Sequence, residues 1–305
     1  MKMETNFEKY LEDCTLCPRK CHVNRLAGEK GFCGCGAELS VARAGIHSWE
    51  EPCISGEEGS GTIFFAGCSL GCVFCQNSAI QKEEAGKKIT VDRLVQIMFE
   101  LKEKGVNNIN LVTPDHFAPQ IADALRTART NGLRIPVLWN SSGYEDPSTI
   151  DLLNGLVDIY MPDFKYGPSS KAQRWSGTND YSTHASAALE AMYSQVGEPE
   201  FDERGIMRRG VLVRHLLLPG CVKESHSVVD YLLDTYGDHI WISLMSQYTP
   251  MKEMESDPLL GRRVTKREYE RLINHALEKG LTNGFIQEGE AASESFIPEF
   301  DKEGV

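Results

Sequence analysis

No stretch of this chain is long and apolar enough to cross a bilayer, which takes about 20 consecutive apolar residues in a helix. An excess of basic charge is missing as well: 32 Lys and Arg stand against 44 Asp and Glu, for a formal net charge of -12. A general nucleic-acid binder needs a basic face to meet phosphates, so that class is set aside, although a local basic patch is not excluded. The opening residues, MKMETNFEKY, lack the basic-then-apolar plan of a secretory signal, so a cytoplasmic location is the expectation. There is no internal repeat and no low-complexity tract. What remains is an ordinary globular composition, 41% hydrophobic and 25% charged, in 305 residues. That length suffices for one large α/β domain with a small appendage.

Cysteine is the residue in excess. The chain has 10, and in a reducing compartment such a number points to metal or redox chemistry before disulfides. They fall into groups: Cys14, Cys17, Cys21, Cys33 and Cys35 form one, and Cys68, Cys72 and Cys75 another. Cys53 and Cys221 stand alone. The first group sits in residues 1–61, a Cys- and Gly-rich module with little periodicity, expected to bury little apolar surface and to be organised by metal ligation.

Residues 62–305 read as a second unit in which short apolar runs alternate with amphipathic segments. Strands are expected at Thr62–Ala66, Asn108–Val112, Pro136–Asn140, Val157–Met161, Val211–Leu218, Ile240–Leu244 and, weakly, Phe285–Gln287. Between them the pattern predicts helices. One starts at Thr90 and stops at Gly105, one is capped by Ser225, and one opens on a Thr265/Glu268 capping box with Tyr269, Leu272, Ile273, Ala276 and Leu277 inward. Strand–helix alternation implies a parallel sheet with right-handed crossovers. Six or seven such units suit a partial or full (β/α) TIM-like barrel better than an open doubly wound sheet.

The chemistry concentrates in Gly67-Cys68-Ser69-Leu70-Gly71-Cys72-Val73-Phe74-Cys75-Gln76-Asn77. Directly after a strand, three thiolates in eight residues can converge on one cube of iron and sulfur, with Gly71 relieving crowding in the wrap. Three thiolates leave one of four irons without a protein ligand, and an open position is what a catalytic metal site needs. A zinc loop completed by a distant fourth ligand is the alternative, because thiolates suit both metals. The loop also lies at the C-terminal end of a strand, the face on which barrel enzymes build their sites.

CxxxCxxC with an aromatic before the third Cys resembles the radical S-adenosylmethionine (SAM) signature. More narrowly, CTLCPRKCHVNRLAGEKGFCG, EEPCISGEEGSGTIFFAGCSLGCVFCQN, NLVTPDHFAPQI, YMPDFKY, MYSQVG, RRGVLVRHLLLPG, SLMSQYTP and FIPEFDKEGV are similar to the PflX-type proteins, relatives of the pyruvate formate-lyase activating enzymes. The resemblance implies a 4Fe-4S cluster on Cys68, Cys72 and Cys75, with SAM chelating the open iron and cleaved reductively to a 5′-deoxyadenosyl radical that abstracts hydrogen from a substrate. It further implies Phe74 against the adenine and Thr113 near SAM. The usual Gly-Gly-Glu-type turn is here replaced by Thr113-Pro114-Asp115-His116. Asn140 and Ser141 correspond to a polar turn meeting ribose and methionine. Asp163, Lys165 and Arg214 stand at strand ends, where a guanidinium can hold a carboxylate and a carboxylate can hold ribose hydroxyls. The bland alternative is that these strand-end groups merely pair with one another. A low-potential electron donor such as flavodoxin or ferredoxin is implied, as is an unknown substrate, with a partner protein among the candidates. An activase that abstracts a glycine hydrogen from a partner enzyme is the narrower functional alternative, and a non-catalytic iron–sulfur or zinc protein the third.

Cys14, Cys17, Cys21 and Cys33 supply four thiolates in twenty residues, enough to close a site holding a second iron–sulfur cluster or zinc, with Cys35 a substitute or a bystander. Cys221 and Cys53 read as small buried hydrophobes, although Cys221 follows a strand end and could face the same cavity. His116, His215 and Tyr248 fall near expected strand ends and are candidates to face a substrate.

Overall fold

The computed structural model describes residues 7–286 and 297–305. Ten strands form one sheet: β1 Leu39–His47, β2 Ser60–Phe65, β3 Lys87–Ile89, β4 Ile109–Val112, β5 Val137–Ser141, β6 Ile159–Pro162, β7 Glu200–Phe201, β8 Met207–Leu216, β9 Trp241–Met245 and β10 Gly284–Ile286. The order along the sheet is β10-β9-β8-β6-β5-β4-β2-β1-β3, with β7 paired to β8. From β2 to β10 every pairing on that path is parallel, giving seven strands of a partial barrel. Strands β4 and β6 read INLV and IYMP and are buried throughout, as expected where a parallel sheet is covered on both faces.

Helices return the chain between the parallel strands. Val91–Glu103 begins where the Thr90 side chain accepts from the Arg93 amide, and Lys266–Glu278 begins at the expected Thr265/Glu268 capping box. Helices Ala118–Thr130, Tyr181–Val196 and Val222–Tyr236 complete the outer layer. The short helix Pro52–Ser55 closes one end of the barrel: Cys53 and Ile54 pack against Leu138, Ile159, Met161, Met207 and Leu212. That makes Cys53 the small buried hydrophobe it was expected to be.

Several local expectations are corrected. The first 61 residues do bury apolar surface, because β1 pairs antiparallel with β2 and β3 and sinks Leu39, Val41, Ala42 and Ala44 into the core. Its sequence LSVARAGIH lacks clean alternation, which hides it. The expected boundary at residue 62 falls inside β2. Ser225 is not a cap: Cys221 holds the N-cap position, and Ser225 is buried one turn into the helix. Leu277 is 53% exposed and Leu272 and Ala276 alone are buried on its helix. Gln287, expected to end the last strand, lies outside the described residues. Among the described residues no helix is long and apolar enough to cross a membrane.

Candidate active site

The β2 strand delivers its C-terminal end directly into the cysteine loop. Gly67 and Gly71 both adopt positive φ, +93° and +68°, and turn the backbone so that Cys68, Cys72 and Cys75 face one cavity of about 220 Å3. Each sulfur meets a donor. The Gly71 amide lies 3.3 Å from Cys68 Sγ, the Ser176 hydroxyl 3.0 Å from Cys72 Sγ, and the Asn77 backbone bonds to Cys75. Burial pushes the Cys68 thiol up to about 12 and raises Cys72 and Cys75 as well, while Lys165 pulls those two back. Thiolates held here therefore gain from positive charge nearby, which Lys165 supplies in part.

Across the cavity, the ends of successive strands present a polar network. Arg214 on β8 donates through Nε to Asp163 Oδ1 at 3.1 Å and through Nη2 to Asn140 Oδ1 at 2.6 Å. Its Nη1 makes a longer contact of 3.5 Å with Glu50 Oε2. Lys165 Nζ donates to the other Asp163 oxygen at 2.6 Å. Burial alone would raise Asp163, but Lys165 and Arg214 on either side hold its carboxyl below the usual range. Asn140, Ser141, Asp163, Lys165, Arg214 and Thr113 all border the cysteine-lined cavity. The structure thus brings together these six residues, all singled out in the sequence, and also shows Asp163, Lys165, Asn140 and Arg214 paired with one another.

Thr113 carries φ +55°, a left-handed conformation that costs a β-branched residue about 1–3 kcal/mol. It occupies the place where the expected turn would carry glycine, the residue that takes this conformation without strain. Phe74 borders the cavity, but its ring is also boxed edge-on by Tyr166, Trp175 and Tyr248 at 6.2–6.5 Å. His116, His215 and Tyr248 do not border it: their polar atoms bond the carbonyls of Ala66, Phe164 and Leu260. Cys221 bonds the Pro219 carbonyl and lies outside the cavity, as a buried hydrophobe does.

A second cavity of about 550 Å3 adjoins the first, and Gln76, Val112, Asn140, Arg214 and Met245 border both. Its far wall comes from the segment after β1, with His47, Trp49, Glu50 and Glu51.

Residues 62–191, which run from β2 through the cysteine loop to the helix after β6, match the family model of the radical SAM superfamily. This chain carries a radical SAM domain. The uncharacterized protein MJ0674 of Methanocaldococcus jannaschii is 29% identical over 280 residues, 88% of this chain and 76% of that protein. Among solved structures, a domain of a pyruvate-formate lyase-activating enzyme from Bacteroides vulgatus aligns with TM-score 0.40 and 15% identity, covering 56% of this chain and 92% of that one. SuiB of Streptococcus suis bound to S-adenosylmethionine aligns with TM-score 0.48 and 13% identity over 72% of this chain, which spans about half (48%) of SuiB.

The radical SAM family implies a 4Fe-4S cluster and SAM, and the residues present fit both. Three soft donors share one wall of the cavity, amide and hydroxyl donors meet their sulfurs, and a mixed-charge polar wall stands opposite. Sequence reasoning missed several groups that hold this site in shape. Arg19 donates to the carbonyls of Ser69, Leu70, Ser176 and Gly177, and lies 3.8 Å over the Phe32 ring. Glu145 is fully buried beneath the Asn140–Ser141 turn, accepting from Trp139 Nε1 at 2.7 Å and hydrogen-bonded to Ser141.

Two predictions arise from these supports. Burial, with Asp115 adding repulsion, pushes the Glu145 carboxyl up to about 8 from its ordinary 4.5. An acid raised on folding stabilises the fold below its unfolded value and loses that contribution as pH climbs through the folded one. The melting temperature is therefore expected to fall by on the order of 5 °C between pH 5 and pH 9, and Glu145→Gln is expected to flatten that slope; an equal slope in the variant contradicts the assignment. At Gly67, an added Cβ would stand 2.1 Å from Cys35 Sγ and 3.1 Å from both the Cys33 carbonyl and His116 Nε2, on a left-handed backbone. Gly67→Ala is expected to cost about 3 kcal/mol, read as a melting temperature lower by roughly 10 °C.

Proposed function

We propose that this chain is a radical SAM enzyme that cleaves SAM reductively and uses the resulting radical to take hydrogen from a substrate held in the second cavity. Bound on Cys68, Cys72 and Cys75, a 4Fe-4S cluster supplies the electron that breaks the sulfonium bond and an open iron for the amino and carboxylate groups of methionine. The rest is the work of the protein. Asn140, Ser141, Asp163, Lys165 and Arg214 offer both signs of charge to a ligand that itself carries both, and Arg214 Nη1, whose 3.5 Å contact with Glu50 is the longest of the fork, is the donor best placed to turn to a carboxylate. Thr113 sets the backbone at the cavity rim, and Phe74 offers an apolar edge to a nucleobase. The electron comes from a low-potential donor of the flavodoxin or ferredoxin kind.

The observation that carries this reading is the continuity of the two cavities through Asn140, Arg214 and Met245, which supports a substrate site next to the cysteine-lined chamber. A volume of about 550 Å3 lies in the range of small-ligand sites, which favours a small substrate over the glycine loop of a partner enzyme. Anaerobically reconstituted protein reduced with dithionite is expected to convert SAM to 5′-deoxyadenosine and methionine in equal amounts. Absence of 5′-deoxyadenosine from protein with a full complement of iron would falsify the proposal. A glycine-centred radical on an added glycyl-radical enzyme would move the assignment to the activase alternative.

A further inference from the structure

The N-terminal group of cysteines plays no part in that reaction, yet the fold gathers it. The Cys14 amide donates to Val23 O at 3.1 Å and the His22 amide to Cys14 O at 3.0 Å, folding residues 14–23 back on themselves. Lys20 and His22, on either side of Cys21, both take positive φ, +40° and +54°. Cys21 Sγ accepts from the Phe32 amide at 3.3 Å, and a Cβ on Gly31 would meet that sulfur at 2.8 Å, so Cys21 is laid against the segment that ends in Cys33. Cys17 in turn lies within electrostatic reach of Cys14 and Cys33. Cys35 differs from these four: it is fully buried, and its thiol bonds the carbonyls of Cys33 and Ala66.

An independent observation points to a missing group here. Asp115 is 1% exposed, and neither of its carboxylate oxygens has a hydrogen-bond partner; the nearest cation-forming group, the His116 ring, is 3.8 Å away. A buried acceptor left in this state lacks the donor or proton that burial normally demands. Asp115 acts electrostatically on both Cys17 and Cys68, so it is near both sets of thiols.

We infer that Cys14, Cys17, Cys21 and Cys33 hold a second iron–sulfur centre, set against the 68–75 loop. Thiolates alone serve zinc equally well. Among the described residues no three Cys, His, Asp or Glu side chains are grouped so as to hold a single metal ion. The N-terminal four share that feature with the 68–72–75 trio, the cysteines to which the radical SAM family gives an iron–sulfur cube, and this likeness favours the same kind of group for them. The two sites adjoin: Cys35 Sγ and the Cys33 carbonyl fill the space that a Cβ would need on Gly67, the residue before Cys68.

Metal and acid-labile sulfide counting on the intact, anaerobically purified chain tests this. About eight irons and eight sulfides per chain are expected, against about four of each for a single cluster. Four irons with one zinc, or four irons alone, overturns the inference. The Cys68→Ala/Cys72→Ala/Cys75→Ala chain is expected to keep about half the iron and a reduced-cluster electron spin resonance signal, and zinc in its place also overturns the inference. Cys17→Ser together with Cys33→Ser, in an otherwise intact chain, is expected to lose the other half. Undiminished iron in that variant assigns the second centre elsewhere and counts against these four residues. None of these readings requires SAM cleavage, so the inference stands or falls separately from the proposed reaction.

Discussion

Replacing any one of Cys68, Cys72 or Cys75 with Ala is expected to lower SAM cleavage at least about 1,000-fold and to remove about four irons per chain. The reason is geometric. Each thiol leaves the 68–75 loop at a different point, and each is met by its own donor: the Gly71 amide, the Ser176 hydroxyl or the Asn77 backbone. No other cysteine among the described residues borders the cavity to take a lost ligand's place. Two thiolates cannot retain a four-iron cube with one defined open iron. Ser176→Ala offers a milder companion. Loss of one hydroxyl donor to Cys72 is expected to leave the iron content whole while shifting the reduction potential, since hydrogen bonds to sulfur tune it. Undiminished cleavage in any of the three single Cys variants contradicts the assignment of that residue.

For Arg214→Ala the expected result is a loss of SAM affinity of roughly 10- to 100-fold with the iron content unchanged, measured by equilibrium binding to the reconstituted protein. One charge-assisted contact is worth about 1.5–3 kcal/mol, which is that range of affinity. The same side chain also holds Asp163, Asn140 and Glu50 in place, so its removal disturbs both cavities. Arg214→Lys separates the two effects. Lysine keeps the charge but cannot reproduce the planar fork, so partial recovery of Asp163 pairing is expected without full recovery of affinity. Unchanged affinity in Arg214→Ala removes the residue from the SAM-binding wall.

The cysteine loop was legible in the sequence because its ligands lie within eight residues of each other and directly follow an apolar strand. The strand-end residues were legible for a related reason: in a parallel sheet, each strand's last residues land on the same face, so reading the strands places Asn140, Asp163 and Arg214 together. What escaped notice acts over long separations. Arg19 reaches Ser176 across 157 residues, Ser176 reaches Cys72 across 104, and Glu50 reaches Arg214 across 164. No local pattern signals such contacts. The strand Leu39–His47 was hidden because Ala, Arg and Gly interrupt its alternation, while its buried face is supplied by β2 and β3. His116, placed near a strand end by its position in the chain, is turned inward to the Ala66 carbonyl instead. Thr113 shows the opposite case: the residue type departs from the expected glycine turn, yet its backbone takes the left-handed shape that a glycine would supply cheaply.

The central claim is that three cysteine ligands leave one iron open and that SAM fills it. Pulsed electron–nuclear double resonance on the reduced protein, with SAM labelled by nitrogen-15 at the amino group and oxygen-17 at the carboxylate, reads this directly. Hyperfine coupling of both labels to the cluster is the predicted result. A spectrum in which neither label couples, although SAM is bound and the cluster is reduced, contradicts the account.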